Sequence, residues 1–327
     1  MKNTVWSSLS AASVMGAALY ATAVWMPQPS GTTAVSATFA APQKGATKSV
    51  ASDDVRPESD PVIFNNMKTA AGPLPKGPNY DLEEVLSGER EVPRVTWAAL
   101  PKNLSAVRET NERKAIFFKT VLPLVLQVNE QITVERGRLW ELKSQQLSGK
   151  KLDALDRLWL AVLSEQYGTR RGDIVAILER HDVVPPSLAL AQAATESAWG
   201  TSRFVREGNA MFGEWTFKAD DKGIVPAGRD TGKTHRVRAF DTLQDSVRSY
   251  VTNLNKHRAY KEFRSQRSEM RAQGRVVDGM ELAGTLHRYS ERGAAYVAEI
   301  RAIISTNDLD LLDNAVLASN GSLEPII

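Results

Sequence analysis

From about Asn103 onward, apolar residues recur at three- and four-residue intervals, the period of helices that bury one face. Ile116, Phe117, Val121, Leu124, Val125 and Val128 form the first run, with charged residues between them. Leu139 and Leu142 carry it towards Gly149, so the pattern predicts a long helix that Pro123 kinks or divides. A second helix is predicted from Leu152 to Tyr167, capped by Gly168, and a third from Gly172 to His181. Val184-Pro185-Pro186 interrupts the pattern, because proline disfavours helix for the residue before it. Ser187 then reads as the N-cap of a fourth helix that Gly200 ends.

Between Asn209 and Phe240 the period changes. Gly, Asp, Pro and aromatic residues alternate with short β-prone runs at Glu214–Phe217 and Thr234–Phe240, which predicts a small hairpin or sheet. Helix returns at Thr242, whose partner Asp245 makes an imperfect capping box, and continues through Val247, Tyr250, Val251 and Leu254. Further helices are predicted at Lys261–Gln273, Met280–Tyr289 and Ala294–Ile304. The class is therefore mainly α, with one small β-containing insert and no internal repeat.

The first hundred residues differ. Lys2 is the only charge before Lys44, and Thr4 to Met26 is uncharged and mostly apolar or small. Residues 1–27 read as a signal peptide or a membrane anchor, with Val14 to Met26 as the apolar core and Ala23 or Ala40 as possible cleavage points. Residues 28–93 are rich in Pro, Ser, Thr, Ala, Gly and Lys, and lack periodic apolar positions. They are expected to be a disordered linker with one short helix near Tyr80–Ser87. The remaining divisions are a helical extension at 94–171, a catalytic domain at 172–307 and a loosely held tail at 308–327. An exported protein facing the cell envelope follows from this reading.

Composition narrows the chemistry. The 327 residues carry a formal net charge of +3, a mild bias that suits an anionic polymer or surface without pointing to nucleic acid. The chain has no cysteine, which excludes disulfides, cysteine nucleophiles and thiolate zinc sites. Its four histidines fall at no metal-binding spacing, so neither a metal nor a cofactor is expected.

One acid stands out. In Leu188-Ala-Leu-Ala-Gln-Ala-Ala-Thr-Glu196-Ser-Ala-Trp-Gly200, a single carboxylate lies among alanines. On a helix Glu196 shares a face with Ala189, Gln192, Ala193, Trp199 and Gly200. Small residues admit a second backbone, and apolar surroundings raise a carboxyl pKa towards the range of a general acid. Most glutamates are instead solvated or salt-bridged, and the pattern alone leaves both readings open.

The neighbouring strings sharpen this. Ala191 to Ser202 is followed by Asn209-Ala210-Met211-Phe212-Gly213, then by Phe240-Asp241-Thr242-Leu243-Gln244-Asp245-Ser246 and by Tyr289-Ser290-Glu291-Arg292-Gly293-Ala294-Ala295-Tyr296. In order and spacing these four elements resemble glycoside hydrolase family 73, the peptidoglycan-cleaving glucosaminidases, over roughly residues 172–305. Asn209–Trp215 and Asn253–Tyr260 look closer still to the Bax protein branch of that family. The resemblance implies a lysozyme-like α+β fold, a helical lobe and a small β-lobe flanking a glycan groove. It further implies cleavage of the β-1,4 bond after N-acetylglucosamine, with Glu196 as the general acid and peptidoglycan strands as the partner.

A second carboxylate is less well marked. Many relatives carry an acid in the β-lobe, and His235 stands about where it is expected. Glu214 is the alternative fixed by a motif, as a water-activating base, and Asp220, Asp221 and Asp230 lie nearby. Ser197, Trp199, Asn209, Phe212, Tyr289 and Tyr296 are the expected substrate-binding residues, although each has a purely structural use as well. Arg203, Arg206 and Arg229 are candidates for peptide-stem carboxylates. A lytic transglycosylase and a non-catalytic peptidoglycan-binding or scaffold protein are the alternatives to the hydrolase.

Overall fold

The computed structural model describes residues 78–229 and 232–319. The expected signal peptide or anchor at 1–27 and most of the expected linker lie outside the described residues. The described residues form ten α-helices and three strands, besides short 3-10 turns: α1 Leu82–Leu86, α2 Thr110–Leu147, α3 Ala154–Tyr167, α4 Ile174–Arg180, α5 Pro186–Ser197, α6 Arg203–Gly208, β1 Trp215–Thr216, β2 Gly223–Ile224, β3 Arg236–Arg238, α7 Leu243–Lys256, α8 Lys261–Ala272, α9 Gly279–Ala283 and α10 Ala294–Thr306. The chain is a helical body with a small three-stranded antiparallel sheet, as its patterning implied. Strand order is β1-β3-β2, with Trp215 opposite Val237 and Ile224 opposite Val237 from the other side. None of the described helices is long and apolar enough to cross a membrane.

The centre of the body is α5. Leu188, Ala189, Leu190, Ala191, Ala193 and Ala194 are all fully buried, so the helix is enclosed on every side. Its alanines admit α2, α9 and α10 at close range. α2 supplies Phe117, Phe118, Val121, Leu122, Leu124 and Val125 to the same core. Pro123 sits inside α2 without ending it, where the pattern left kinking or division open. A second, smaller core joins Leu139 and Leu142 of α2 to Leu160, Leu163, Ile174 and Ile177. The helical extension therefore shares its main core with the residues after 172.

Several sequence expectations need correction. Ser187 is not the N-cap of α5. Pro185 holds that place, Pro186 begins the helix, and Ser187 donates its hydroxyl to Asp313 Oδ2 at 2.8 Å. α5 stops at Ser197 rather than at Gly200. The helix expected at Met280–Tyr289 is only the short α9, and β2 escaped notice because Gly223 and Ile224 offer too short a pattern.

Residues 78–93 are not a free linker. Tyr80, Leu82, Val85 and Val92 are buried in the main core, and Val92 bridges Leu317. Nor is the segment after Asn307 loosely held through residue 319. Leu309 and Leu312 are fully buried in a 3-10 turn at Leu309–Asn314, and Asp313 accepts hydrogen bonds from Ser187 and from Gly279 N. The Val92–Leu317 and Ser187–Asp313 contacts join positions more than 100 residues apart, which local periodicity does not reveal.

Candidate active site

Glu196 lies in the last turn of α5 and is mostly enclosed. The chain leaves the helix through three consecutive residues at positive φ, Ala198 at 49°, Trp199 at 56° and Gly200 at 77°. Two non-glycine residues in this region mark a costly backbone path, of the kind that persists where the surroundings enforce it. Ser197 enforces it here: its hydroxyl donates to Ala193 O at 2.6 Å and accepts from Gly200 N at 2.9 Å. It is fully buried, so its expected contact with substrate is replaced by this fastening of the turn.

Three polar side chains lead to Glu196 from the core. Tyr250 donates to Gln192 Oε1 at 2.7 Å, Gln192 Nε2 donates to the Tyr296 hydroxyl at 2.8 Å, and Tyr296 donates to Glu196 Oε1 at 2.9 Å. Gln192 and Tyr250 are wholly buried and Tyr296 nearly so. The Tyr289 ring stacks on Tyr296 at 5.4 Å and 7°. Burial pushes the Glu196 carboxyl above its ordinary pKa, nearby Glu299 adds to this, and the Tyr296 hydrogen bond opposes it. The negative end of the α5 dipole acts in the same direction as burial.

A second carboxylate arrives from the loop after α6. Asn209 adopts a left-handed conformation, φ 51°, and its Nδ2 donates to Phe240 O and Asp241 O. This bond pair turns the chain so that Gly213 passes Glu196 Oε2: a Cβ built on Gly213 would stand 3.9 Å from that oxygen. Glu214 follows at once. Its Oε2 accepts from Ser249 at 2.8 Å, and its Oε1 is buried with no hydrogen-bond partner among the described residues. Burial raises its pKa too, while Ser249 and Arg238 oppose the rise. Tyr260 lies within the field of both acids, which together with burial push its hydroxyl up to about 12.

The expected site residues thus separate into two groups. Glu196, Glu214, Tyr289 and Tyr296 come together. Trp199, Phe212 and Asn209 are each held in other contacts. Trp199 packs edge-on against Phe117 and Phe118, with Lys114 Nζ 5.0 Å from its ring centre. Phe212 is 3 % exposed and stacks on Tyr250 at 3.9 Å. Asn209 pins the turn. His235 stacks on Trp215 at 4.4 Å, where Trp215 is 63 % exposed. Asp221 accepts from Thr216, Arg203 and Arg229 bond to backbone carbonyls, and Asp230 lies outside the described residues.

Gln192, Ser249, Tyr250 and Tyr260 were missed as site residues. For Gln192 a signal existed: it is the one long polar side chain besides Glu196 in an apolar helix, four residues before the acid. Glu214 also opens onto a groove of about 580 Å³, lined further by Trp215, Arg238, Asn253, Lys256 and Arg258.

Residues 172–309 match the family model of the glucosaminidases, described as mannosyl-glycoprotein endo-beta-N-acetylglucosaminidase. The chain is also 34 % identical over 204 residues to the protein bax of Escherichia coli strain K12, an alignment covering 60 % of this chain and 70 % of that protein. The chain belongs to the glucosaminidase family. It is accordingly a glycoside hydrolase, and the carboxylates gathered around Tyr260 lie within the part that carries the family match. Among solved structures, it aligns with the catalytic domain of the autolysin Auto from Listeria monocytogenes at 16 % identity and a TM-score of 0.30, over 52 % of this chain and 94 % of that one.

Proposed function

We propose that this glucosaminidase cleaves the β-1,4 bond after N-acetylglucosamine in peptidoglycan strands, with Glu196 as the general acid. The observation that carries the reading is the state of Glu196. Its carboxyl is enclosed, shifted towards the protonated form, and oriented through Oε1 by a buried tyrosine. That leaves Oε2, on the side of Gly213, to give its proton to the leaving glycosidic oxygen. As the bond breaks, positive charge develops at the anomeric carbon, and the carboxylate that Glu196 becomes stabilises it.

Glu214 takes the second role. It removes a proton from the water that adds to the anomeric carbon, and solvent exchange later returns Glu196 to its acid form. Burial raises its pKa, and Ser249 and Arg238 partly offset that rise in favour of the ionised state this role requires. The alternative is attack by the substrate's own N-acetyl oxygen, which dispenses with a second carboxylate. The work is placed in the cell envelope, with residues 1–27 as an export signal or membrane anchor.

The test is mass spectrometry of muropeptides released from purified sacculi. Fragments with reducing N-acetylglucosamine ends are expected from the wild type and none from Glu196→Gln. Anhydromuramic ends would assign a lytic transglycosylase instead. Binding to sacculi with no release by the wild type would assign a non-catalytic binder. Fractionation of cells expressing the full chain tests the location, and recovery in the cytoplasm alone would overturn it.

A further inference from the structure

The groove that starts at Glu214 holds an excess of positive charge. Arg238, Lys256 and Arg258 line it, and Glu214 is the only acid in its wall among the described residues. Lys256 and Arg258 are exposed, and neither forms an ion pair among the described residues. Elsewhere on the surface, exposed arginines such as Arg138, Arg203, Arg275 and Arg292 sit against carboxylates. Arg238 is held in place by its bond to Ser249 Oγ at 3.2 Å and by the Phe240 ring 5.1 Å away.

The same groove has an aromatic rim. Trp215 is 63 % exposed, yet its plane is fixed by His235 stacked on it at 14°. A fixed, exposed indole offers its face to the C–H side of a sugar ring, while ammonium and guanidinium groups lining the same groove offer charge. Together the two features fit a sugar that carries an anionic substituent. A neutral glycan has nothing to place against Lys256 and Arg258.

Building on the proposed function, we infer that this groove is a subsite for the carboxylates of the peptide substituents borne by the glycan, so that charged strands are preferred over strands whose carboxyls have been neutralised. Lys256, at the end of α7, and Arg258, in the turn after it, contact the substituent, and Trp215 receives the sugar. Neither cation takes part in bond cleavage, and both side chains are exposed at the C-terminal end of α7, outside the core.

The experiment compares sacculi with the same sacculi after carbodiimide coupling of their free carboxyls to a neutral amine. The full chain is used as wild type and as the double variant Lys256→Gln, Arg258→Gln. The wild type is expected to release muropeptides from untreated sacculi with roughly threefold to tenfold higher kcat/KM than from the neutralised ones, about what two exposed charge pairs supply. The double variant loses that preference, while its rate on neutralised sacculi and its Tm match the wild type. Equal rates of the wild type on both substrates overturn the inference, as does a double variant that keeps the preference.

Co-sedimentation of Glu196→Gln with the two kinds of sacculi tests the subsite without hydrolysis. Stronger retention on untreated sacculi, abolished by the two added substitutions, supports the subsite even where no cleavage is seen. Equal retention overturns it. Absence of cleavage with charge-dependent retention would therefore count against the proposed reaction alone.

Discussion

Tyr296 donates its hydroxyl hydrogen to Glu196 Oε1 at 2.9 Å, from α10 to α5 across 100 residues of sequence. The bond stabilises the ionised carboxylate and so restrains the rise in pKa that burial causes. Removing it with Tyr296→Phe keeps the ring and its stack on Tyr289 but lets the Glu196 pKa climb. As the proposed general acid, Glu196 acts while protonated, so the alkaline limb of the pH–rate profile is expected to move to higher pH. Catalysis at the optimum falls about tenfold, because Oε1 is no longer oriented, the loss of one hydrogen bond to a charged group being ~1.5–3 kcal/mol. An alkaline limb that stays in place or moves to lower pH would remove Tyr296 from this role.

Glu196→Gln is expected to abolish glycan cleavage and to make the protein more stable at neutral pH. The folded-state pKa of Glu196 is raised, so the stability associated with its protonated form is complete below the unfolded-state pKa. It is lost as pH rises through the higher folded-state value. Above that value the wild type holds a charged carboxylate in a poorly solvated site, and the glutamine does not. The Tm difference between variant and wild type should widen from near zero in acid towards neutrality, by about 2–4 °C for each kcal/mol gained. A gap independent of pH would show that the carboxyl is not held above its ordinary range.

Glu214 is tested through its neighbour as well as directly. Glu214→Gln is expected to lower kcat by about a hundredfold or more, the usual scale for a general base. A loss below tenfold favours attack by the substrate's N-acetyl group. Ser249→Ala removes the bond to Oε2 that supports the ionised form, so the Glu214 pKa rises. As the proposed base Glu214 works when ionised, and the acid limb of the profile is therefore expected to move to higher pH. An acid limb unchanged in Ser249→Ala dissociates Glu214 from the reaction.

How far the sequence disclosed this site depends on the kind of contact. Glu196 stood out as a lone carboxylate in an alanine-rich helix, but that pattern left its role open, and the resemblance supplied the candidate role. Tyr289 and Tyr296 were legible through the resemblance. Ser197, Trp199, Asn209 and Phe212 belong to the same strings but build the frame: they fasten the turn after α5, wedge against α2, pin Phe240 and Asp241, and stack on Tyr250. A side chain of given type reads the same whether it faces sugar or core, and α5 is buried on all faces, so helical phase did not separate the two. Gln192 was passed over because a polar residue in an apolar helix has its partners, Tyr250 and Tyr296, 58 and 104 residues away. The β-prone runs at 214–217 and 234–240 located β1 and β3, and the short helix expected near Tyr80–Ser87 is α1, while the burial of residues 78–93 and of the last 3-10 turn depends on contacts with distant parts of the chain.

Buried polar side chains with fixed partners carry a definite expectation. Gln192→Leu is close in size but removes the acceptor of Tyr250 and a donor to Tyr296. Two buried hydroxyls lose a partner, at ~1–3 kcal/mol each. The variant should unfold at lower denaturant with an unchanged m-value, and its activity should fall because Tyr296 is freed to rotate. Tyr250→Phe in the same background removes one stranded hydroxyl and should recover part of the loss. No recovery would mean that the Tyr250–Gln192 bond contributes nothing to the fold.

The boundary at residue 172, where the family match begins, is expected not to delimit a folding unit. Gly200, four residues after Glu196, shows why. Its φ of 77° disfavours any other residue, and a Cβ there would stand 2.7 Å from Leu100 Cδ1, 2.8 Å from Leu104 Cδ2 and 3.1 Å from Phe117 Cδ2. The turn that carries the acid is thus packed directly against the segment before α2 and against α2 itself. A chain of residues 172–319 would strip α2 from α5 and leave Trp199 without Phe117 and Phe118, at roughly 1.5–3 kcal/mol for each large side chain exposed. It should lack near-ultraviolet circular dichroism and glycan cleavage, whereas 78–319 should retain both. Gly200→Ala in the full chain should lower stability by about 2 kcal/mol or more, from backbone strain and overpacking together. A stable, active 172–319 fragment would show that the extension only accompanies the site; the contacts at Gly200 require that it helps to form it.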